Sequence, residues 1–503
     1  MPATAPRPDR RTRVLQATLV ALPLLAVVAA VLLTQRGGGD PLPSPPLEVL
    51  QPRVELQTAQ GDASAEGDPF AYTARRRQEL ERRAASGLSH VIYAKSPGGV
   101  VASAARTARY RPLIERVARG ADLNPDLIEA IALLESAGRP DATADPELEG
   151  AVGLTQILAG TGAGLLQMRV DTAASRRLTA RIRRAEMRGR IGRARRLREA
   201  RRTVDERFDP VKALEGTARY LTFSRRELGR DDLAVVSYHM GVGNLTSVIE
   251  DFGAGPEPSY AQLFFQTTPK SRPRAFRRLQ GLGDDSVTYY YRVLAAREIM
   301  RLYREDRATL ERNAVLHSAK NSAEEVLHPG DKTDVFDDPE ELEDAYGAGE
   351  LRLFPDAPGP TGLRRARQMG ELARKLKQPR TLYRGLRPGA YALALYLARL
   401  TRDAGGGRAP LTVTSTVRDR SYQDLLTRRN PEATRSYSLH TTGWTFDVLR
   451  RYSGGRQSRA FQFALDRLEA LDLIAWVREP AAIHITVSSD AKRLQRLVVE
   501  QGG

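Results

Sequence analysis

Apolar residues recur at intervals of three and four positions from about Tyr72 to Arg304, and few stretches in this range alternate as strands do. This spacing places apolar side chains on one face of a helix. From Tyr383 a helical segment, GAYALALYLARLTRDAG, precedes the alternating β-branched run LTVTSTV, and a second helical segment, RAFQFALDRLEALDL, precedes the strand-like AAIHITVSS. The chain is therefore predicted to be multidomain, with a mainly α-helical domain at 72–304 and a small α+β domain at 376–503.

The N-terminus carries twenty mostly apolar residues, Val14 to Leu33, behind four arginines. A segment of this length spans a bilayer, and the preceding arginines predict a cytoplasmic stretch at 1–13, an anchor at 14–34 and the bulk of the chain outside the cytoplasmic membrane. A cleaved signal peptide is the alternative, but its apolar core is normally shorter and ends in a clear small-x-small site. Residues 35–71 are rich in Pro, Gly and Ala and are predicted to be a flexible tether.

The segment at 305–375 is mixed in character, and positions 324–350 hold eleven acidic residues against the single Lys332. The aspartates of this stretch lack the spacing and the central glycine of an EF-hand calcium loop. We therefore expect a solvated linker that keeps two domains apart.

The formal net charge of +17 is concentrated in one short stretch. Positions 176–202 hold 13 arginines and two glutamates, so they contribute +11 of the +17. This insertion, placed at 171–205, is predicted to be helical, although Gly189 and Gly192 interrupt the pattern. Two interpretations stay open: a solvated helical insertion, or a polycation that docks on anionic wall polymers or lipid headgroups. Nucleic acid is not an expected partner, because the anchor places this segment outside.

The stretch LNPDLIEAIALLESAG predicts a helix that carries a carboxyl group on its apolar face. Asn124 is a good N-cap, Pro125 suits the first helical position, and the glycine of SAG marks the end. One helical stripe contains Ile128, Ile131, Ala132 and Glu135. A carboxyl group in such a place loses hydration when it ionises, so its pKa rises and it can donate a proton near neutral pH. Taken alone, such a glutamate is more often a capped or paired structural residue.

Four further blocks follow in order: GAVGLTQILAGTG, ERFDPVKALEGTARYL, VSYHMGVGNL and YYYRVLAAR. With the Glu-Ser pair at the helix end, they resemble the lysozyme-like catalytic domain of soluble-type lytic transglycosylases over about 200 residues. The resemblance implies that Glu135 is the catalytic acid/base. It also implies substrate contacts from Ser136, Gln156, Tyr238, His239 and Tyr289. Thr155 replaces a usual methionine, and His239 stands where an asparagine is usual.

The resemblance implies a reaction for which a single carboxyl group suffices. The 6-hydroxyl of N-acetylmuramic acid attacks its own anomeric carbon, so one residue protonates the leaving oxygen, then deprotonates the hydroxyl, and a 1,6-anhydro sugar is released. A hydrolase with two carboxylates needs the second one as nucleophile or as base for water. No cofactor is expected for this domain, and lysozyme-type hydrolysis stays open.

The stretch SLHTTGWTFDV places a histidine seven residues before an aspartate. In WTFDV the aspartate, Asp447, faces away from the two aromatic residues, and in AIHITVS the histidine, His484, lies on the polar face of a strand. If the two strands are neighbours, these side chains converge, and His440 enters from the loop before Gly443. The chain has no cysteine, so a metal must be bound by His, Asp or Glu. Two imidazoles, one carboxylate and an open position suit catalytic zinc, although an isolated strand histidine is usually a surface residue.

The pattern Ser-x-His-x-x-Gly-x-x-x-Asp occurs at Ser438, His440, Gly443 and Asp447. It resembles that of zinc D-alanyl-D-alanine carboxypeptidases and related wall peptidases of the VanY kind, over residues 385–490. The resemblance implies that Zn²⁺ is bound by His440, Asp447 and His484, that Ser438 contacts the substrate, and that Arg418 in TVTSTVRDRSYQ polarises the reacting carbonyl. Those enzymes place a catalytic glutamate three residues before the last histidine. Here the candidate base, Glu479, lies five residues before it.

Together these observations predict a membrane-anchored protein that remodels peptidoglycan outside the cytoplasmic membrane. The helical domain is expected to cut glycan strands, and the α+β domain to act on stem peptides as a zinc-dependent peptidase. One alternative keeps the transglycosylase and makes the C-terminal domain a metal-free wall-binding module. The other makes both domains a non-catalytic scaffold of a cell-envelope complex.

Overall fold

The computed structural model describes residues 67–253, 258–319, 322–354, 361–428 and 437–501, together with the backbone of a strand at 53–56. This part of the chain is mostly helical with a small sheet, which confirms the predicted fold class at that level. No helix within these ranges has the length and the hydropathy needed to cross a membrane. The predicted anchor at 14–34 and most of the predicted tether lie outside the described residues.

The predicted helical domain contains the first fourteen helices of the described residues. They are α1 (Arg77–Gly87), α2 (His90–Lys95), α3 (Val100–Ala108), α4 (Arg111–Ala121), α5 (Pro125–Ser136), α6 (Ala159–Ala163), α7 (Thr172–Met187), α8 (Ile191–Val204), α9 (Pro210–Leu228), α10 (Asp231–Met240), α11 (Val242–Phe252), α12 (Tyr260–Gln266), α13 (Pro273–Gly281) and α14 (Tyr289–Glu305). The later helices are α15 (Arg307–Ser318), α16 (Ser322–Leu327), α17 (Pro339–Gly347), α18 (Pro388–Thr401), α19 (Arg420–Thr427) and α20 (Gly455–Ala470).

Helix α5 begins and ends where the sequence predicts. The side chain of Asn124 accepts a backbone hydrogen bond at the helix N-terminus, and Pro125 occupies the first helical position. The helix ends because Ala137 and Gly138 adopt left-handed backbone conformations, with φ of 54° and 72°. The apolar face of α5 packs against α14. The last turn of α5 therefore faces α14, and Glu135 lies in that turn.

Strands form one five-stranded sheet and two short pairs. The strands are β1 (Arg53–Leu56), β2 (Arg352–Leu353), β3 (Leu363–Arg365), β4 (Gly385–Leu386), β5 (Leu411–Ser415), β6 (Thr445–Leu449), β7 (Ile474–Arg478), β8 (Ala482–Val487) and β9 (Val498–Gln501). The sheet has the order β3-β5-β6-β8-β7, while β1 pairs with β9 and β2 with β4. Only the β3–β5 pair of the five-stranded sheet is parallel. Because β3 precedes residue 376, the sheet starts earlier in the chain than the predicted domain boundary.

The two predicted domains share one hydrophobic core within a single compact unit. Leu80 of α1 and Ile299 of α14 belong to the same cluster of buried side chains as Leu397 of α18 and Leu465 of α20. Apolar burial of this extent is the main stabilising contribution to a fold, so the helical and α+β parts stabilise each other.

Arg467 of α20 bonds directly to the helical part. Its guanidinium donates hydrogen bonds to the backbone carbonyls of Phe264 and Phe265, both at 2.8 Å, and of Thr267 at 3.1 Å. The rings of Phe264 and Phe265 also lie beside the guanidinium. Burial lowers the pKa of Arg467 to about 10, which leaves it charged at neutral pH. These directional contacts hold the two parts of the unit in a defined arrangement.

The described residues of 305–375 differ from the solvated linker that the sequence predicted. Leu310, Phe336 and Leu342 are buried, and α16 packs against β7 and β8. Asp338 caps the N-terminus of α17, so part of the acidic content serves local structure. The prediction was wrong because the high acidic content hid a few apolar positions that pack against the core.

Candidate functional site

Glu135 lies half-buried in the last turn of α5, beside three of the predicted substrate-contact residues. Its Oε1 accepts a hydrogen bond of 2.7 Å from the hydroxyl of Tyr289, the first residue of α14. The ring of His239 stacks on Tyr289 with the ring centroids 5.0 Å apart. Burial raises the pKa of Tyr238, and the charge of Glu135 raises it further, so Tyr238 also lies near Glu135. The structure therefore brings four residues from distant parts of the sequence to one place.

The carboxyl group of Glu135 is poised to hold a proton. Burial raises its pKa to about 7, and the hydrogen bond from Tyr289 reduces this effect. Among the described residues, no second carboxylate contributes to the pKa of Glu135. Burial also raises the pKa of Tyr289 well above its usual range, and the charge of Glu135 adds to this, so the phenol stays a hydrogen-bond donor. A carboxyl group with such a pKa can both give and accept a proton near neutral pH.

A buried ion pair holds the loop between α5 and α6 next to the predicted acid. Arg207 and Asp205 are fully buried and 2.9 Å apart, and the guanidinium donates to the backbone carbonyls of Leu148 at 2.9 Å and Gly150 at 3.2 Å. Gly153 has a φ of 84°, and a Cβ there would lie 1.9 Å from the carbonyl oxygen of Arg207. Only glycine fits this close approach of two backbones.

Two predicted substrate contacts in this region hold the loop instead of lying free. Ser136 is 2% exposed, and its hydroxyl donates to the carbonyl of Leu154 at 2.7 Å. The side-chain amide of Gln156 donates to the carbonyl of Gly153 at 2.9 Å. The buried hydroxyl of Ser136 thus ties the end of α5 to the loop, and its predicted contact with substrate is untested. For Gln156, a further contact to substrate stays a prediction.

Asp447 and His484 lie directly opposite each other on the antiparallel strands β6 and β8. The alternation of the two strands predicted this convergence. His440 lies in a short 3-10 helix, Leu439–Thr442, which ends at Gly443 with a φ of 74°. Each of the three side chains offers a ligand atom within 4.8 Å of the other two. Asp447 and His484 were expected on the polar face of half-buried strands, but Asp447 is only 8% exposed, and His440 in the adjoining segment is 3% exposed.

Two distances within this cluster lie near those between neighbouring ligand atoms of a divalent ion. His440 Nε2 lies 3.3 Å from Asp447 Oδ2, and His484 Nδ1 lies 2.8 Å from Asp447 Oδ1. Ligand atoms at the usual bond length to zinc are about 3.3 Å apart in tetrahedral geometry. His440 Nδ1 donates to the backbone carbonyl of Thr416 at 2.8 Å, which leaves Nε2 for a metal. Two imidazoles and one carboxylate are a donor set of the kind that binds Zn²⁺ in proteins.

The two histidines of the cluster differ in protonation. Burial lowers the pKa of His440 to about 4, and the charge of Arg418 adds to this, so the ring is neutral at physiological pH. For His484 burial acts in the same direction, but the hydrogen bond and the charge of Asp447 outweigh it and raise the pKa to about 9. Burial opposes ionisation of Asp447, yet His440 and His484 hold its pKa well below the usual range. A metal ion at His484 Nδ1 therefore replaces a proton.

Arg418 lies beside the cluster, and its predicted contact with substrate is untested. Its guanidinium is 3.7 Å from Asp447 Oδ2 and donates to Ser415 Oγ at 2.7 Å and to Gln423 Oε1 at 2.9 Å. Arg418 also lines a cavity of about 160 Å³, which is bordered by Met369, by the C-terminal end of β5 and by α19. A small substrate group in this cavity would contact the guanidinium.

The positions of Ser438 and Glu479 leave their predicted roles untested. Ser438 is buried immediately before the 3-10 helix, where its backbone carbonyl accepts hydrogen bonds from Thr441. Glu479 is exposed in the turn between β7 and β8. It is outside the three-residue cluster, although its charge contributes to raising the pKa of His484.

Glu324, which the sequence assigned to the solvated acidic segment, lies against His484. Its side chain is buried, and its Oε1 is 3.2 Å from His484 Nε2 and accepts a longer hydrogen bond of 3.4 Å from Thr486. Burial raises the pKa of Glu324 to about 7, although the charge of His484 lowers it. No local signal distinguished this residue from the adjacent Glu325, because its contact is with a strand far away in the sequence.

The arginine-rich insertion forms a helical hairpin, α7 and α8, which we name the arginine hairpin (residues 172–204). A small apolar cluster joins the helices, and the buried Arg201 bonds to Asp141 at 2.5 Å. Met187 and Ile191 at the tip are 79% and 68% exposed. The exposed arginines of the hairpin are Arg176, Arg177, Arg181, Arg183, Arg184, Arg188, Arg190, Arg193, Arg195 and Arg196. Within the described part of the chain, only Arg176 and Arg195 of this set pair with a carboxylate.

We expect Glu135→Gln to stabilise the folded protein in alkaline solution. The folded pKa of about 7 exceeds the ordinary value of 4.5, so the folded protein binds this proton more tightly than the unfolded chain does, and ionising Glu135 costs stability. The cost is absent below the unfolded pKa, grows between the two values and is complete above pH 7. At about pH 8 the variant should gain up to about 3 kcal/mol in free energy of unfolding.

Denaturant unfolding of both proteins across this pH range measures the effect, and Glu250→Gln, an exposed glutamate of α11, is the matched control. A stability difference that does not change with pH would contradict a raised pKa for Glu135.

No known protein-family model matches the chain, and no curated protein matches it at a significant level. The chemistry of the two candidate sites therefore has to carry the functional interpretation.

Proposed function

We propose that the chain is a peptidoglycan lytic transglycosylase in which Glu135 is the single acid/base. The observation that carries this proposal is a half-buried carboxyl group with a pKa of about 7, hydrogen-bonded to Tyr289 and with no second carboxylate acting on it among the described residues. A two-carboxylate glycosidase needs a nucleophile or a base opposite the acid. An isolated acid suits a reaction in which the sugar supplies its own nucleophile.

In this mechanism the protonated Glu135 donates its proton to the oxygen that links N-acetylmuramic acid to N-acetylglucosamine. The bond from the anomeric carbon to that oxygen breaks, and the 6-hydroxyl of the N-acetylmuramic acid attacks the same carbon. Glu135, now ionised, accepts the hydroxyl proton and returns to its starting state. The bond broken is replaced by the 1,6-anhydro bond, and no water is consumed, so the enzyme is a lyase.

The surroundings of Glu135 support this cycle. The carboxyl must be protonated at the start and ionised in the middle, which a pKa near neutrality allows at low cost. The Tyr289 hydroxyl stabilises the ionised form through its hydrogen bond. His239 stacks on the buried Tyr289 beside the acid, so the exposed imidazole is the part of this pair that a sugar would contact.

We propose further that the C-terminal part is a zinc-dependent peptidase that acts on stem peptides. His440 Nε2, a carboxylate oxygen of Asp447 and His484 Nδ1 would hold the ion, and bound zinc would supply a Lewis acid and an activated water. Arg418 would bind the carbonyl oxygen of the substrate, and Glu479 remains the candidate base. If the site lacks peptidase activity, the same fold would serve as a wall-binding module.

The localisation proposal follows from the N-terminal sequence alone. An anchor at 14–34, with the bulk of the chain on the outer side of the cytoplasmic membrane, would place both sites next to peptidoglycan. Glycan strands and stem peptides are the proposed partners. Most exposed arginines of the hairpin have no carboxylate partner in the described part of the chain, which favours an additional contact with an anionic polymer or surface.

Glu135→Gln should lower the cleavage of purified glycan strands by about 100-fold or more, because general acid catalysis contributes about 10²- to 10⁴-fold. The anhydro-muropeptides released per unit time are the readout, and Glu250→Gln again serves as the control. Equal yields from wild type and Glu135→Gln would remove Glu135 from the mechanism, whereas no product from either protein would favour the scaffold alternative.

The full-length protein should bind one equivalent of zinc that is lost in His440→Ala and in Asp447→Asn, since each change removes one of three protein ligands. Elemental analysis after dialysis against zinc measures the content. His90→Ala, a histidine outside the cluster that pairs with His317, should keep its zinc. A wild-type protein that binds no zinc would contradict the peptidase proposal and favour the alternative of a metal-free wall-binding module.

Replacing Arg184 and Arg188 of the hairpin by glutamine should weaken binding to an anionic surface by about 10- to 30-fold at low salt, because each arginine near such a surface contributes about 1 kcal/mol. Co-sedimentation with vesicles of phosphatidylglycerol, and with peptidoglycan that carries or lacks anionic wall polymers, separates the two sources. The matched control replaces Arg274 and Arg277, two exposed arginines of α13. Unchanged binding to all three materials would support a merely solvated insertion.

A further inference from the structure

A carboxylate from outside the predicted peptidase domain contacts one of the candidate metal ligands. Glu324 belongs to the short helix α16, which packs on β7 and β8. Its side chain is 4% exposed and directs Oε1 to His484 Nε2 at 3.2 Å. Burying a carboxylate is costly unless a hydrogen-bond donor compensates it. Among the described residues, the hydrogen-bond donor nearest to Glu324 is the imidazole of His484. The contact between these two side chains therefore compensates part of the cost of burying the carboxylate.

The two nitrogens of His484 face different carboxylates. Nδ1 lies 2.8 Å from Asp447 Oδ1 on the side of the cluster, and Nε2 lies 3.2 Å from Glu324 on the opposite side. A histidine that binds a metal through Nδ1 must carry its remaining proton on Nε2. An acceptor at Nε2 selects this tautomer and fixes the rotation of the ring about its Cβ–Cγ bond.

His440 shows the same arrangement with the nitrogens exchanged. Its Nδ1 donates to the backbone carbonyl of Thr416 at 2.8 Å, and its Nε2 faces Asp447 at 3.3 Å. Both rings therefore have one nitrogen in the cluster and the other held by an acceptor outside it. The acceptor of His440 is neutral, whereas that of His484 is a carboxylate, which makes an imidazole a stronger metal ligand.

We propose that Glu324 is a positioning residue for the metal site: it accepts the Nε2–H of His484 and so orients and polarises that ligand. This proposal rests on the proposed zinc site. Glu324 is neither a metal ligand nor the base in this arrangement, because it contacts the side of the ring that faces away from the cluster. Helix α16 thereby becomes part of the site, and a fragment of residues 376–503 would lack it.

The test compares the full-length protein with Glu324→Ala, which removes the acceptor, and Glu324→Gln, which keeps an acceptor but removes the charge. Glu325→Ala changes the adjacent residue of the same helix and is the matched control. Zinc affinity is measured by competition with a chromogenic chelator, and the d–d absorption of the Co²⁺-substituted protein reports the ligand field. Thermal unfolding of the metal-free proteins measures any purely structural effect.

We expect Glu324→Ala to lose about 10- to 100-fold in zinc affinity, as is typical when an outer hydrogen-bond partner of a metal ligand is removed. Glu324→Gln should fall between this variant and wild type, with an altered Co²⁺ spectrum, and Glu325→Ala should match wild type. If Glu324→Ala does not fold, the affinity and spectrum of Glu324→Gln decide.

Two results would overturn the proposal in different ways. Zinc affinities and Co²⁺ spectra that equal those of wild type in both Glu324 variants would show that Glu324 only supports the fold, while the zinc site itself would stand. A wild-type protein that binds no zinc would remove the metal site of the proposed function, and the role of Glu324 with it.

Discussion

A carboxyl group taken out of water either keeps its proton or acquires partners that compensate its charge, and the two candidate sites show one outcome each. Among the described residues, Glu135 has a single tyrosine hydroxyl as its partner, and its pKa rises to about 7. Asp447 is at least as well buried, but two imidazoles and the nearby guanidinium of Arg418 hold it in the ionised form. The first environment suits proton transfer, and the second suits a bound cation.

The positions of these groups depend on contacts between distant segments. Next to Glu135, the buried Arg207–Asp205 pair holds the loop between α5 and α6, and the hydroxyl of Ser136 ties this loop to α5. The cluster of His440, Asp447 and His484 is covered by α16 from the acidic segment. A common hydrophobic core and the hydrogen bonds of Arg467 connect the two parts. The described residues therefore hold both sites in one unit, and a change in the core between them is expected to affect both.

Local sequence patterns were sufficient to predict the position of a side chain where that position depends on a single helix or on one pair of strands. Capping signals and apolar spacing located Glu135 on the inner face of α5, and strand alternation predicted that Asp447 and His484 converge. Composition gave the wrong environment for Glu324. Its acidic segment was predicted to be solvated, but this residue is buried by contact with a strand that is distant in the sequence. Ser136 shows a related limit, since a motif indicates which residues lie near a site but does not separate a substrate contact from a buried structural hydroxyl.

The short strands β3 and β7 also escaped prediction. The sequence of β3, LRR, is too short and too polar to alternate, and β7, IAWVR, directly follows a helical apolar run. Both are stabilised by pairing with a longer neighbour, which is information that the segment itself does not contain. The parallel partner of β5 therefore lies before the boundary that composition indicated.

Mass spectrometry of the products released from intact peptidoglycan tests the central claim most directly, because it reports cleavage of glycan strands and of stem peptides in one sample. The account predicts 1,6-anhydro-muropeptides, with shortened stem peptides that disappear when zinc is chelated while the anhydro products persist. Products with only reducing N-acetylmuramic acid ends would contradict the single-acid mechanism, and unaltered peptidoglycan would contradict the enzymatic account as a whole.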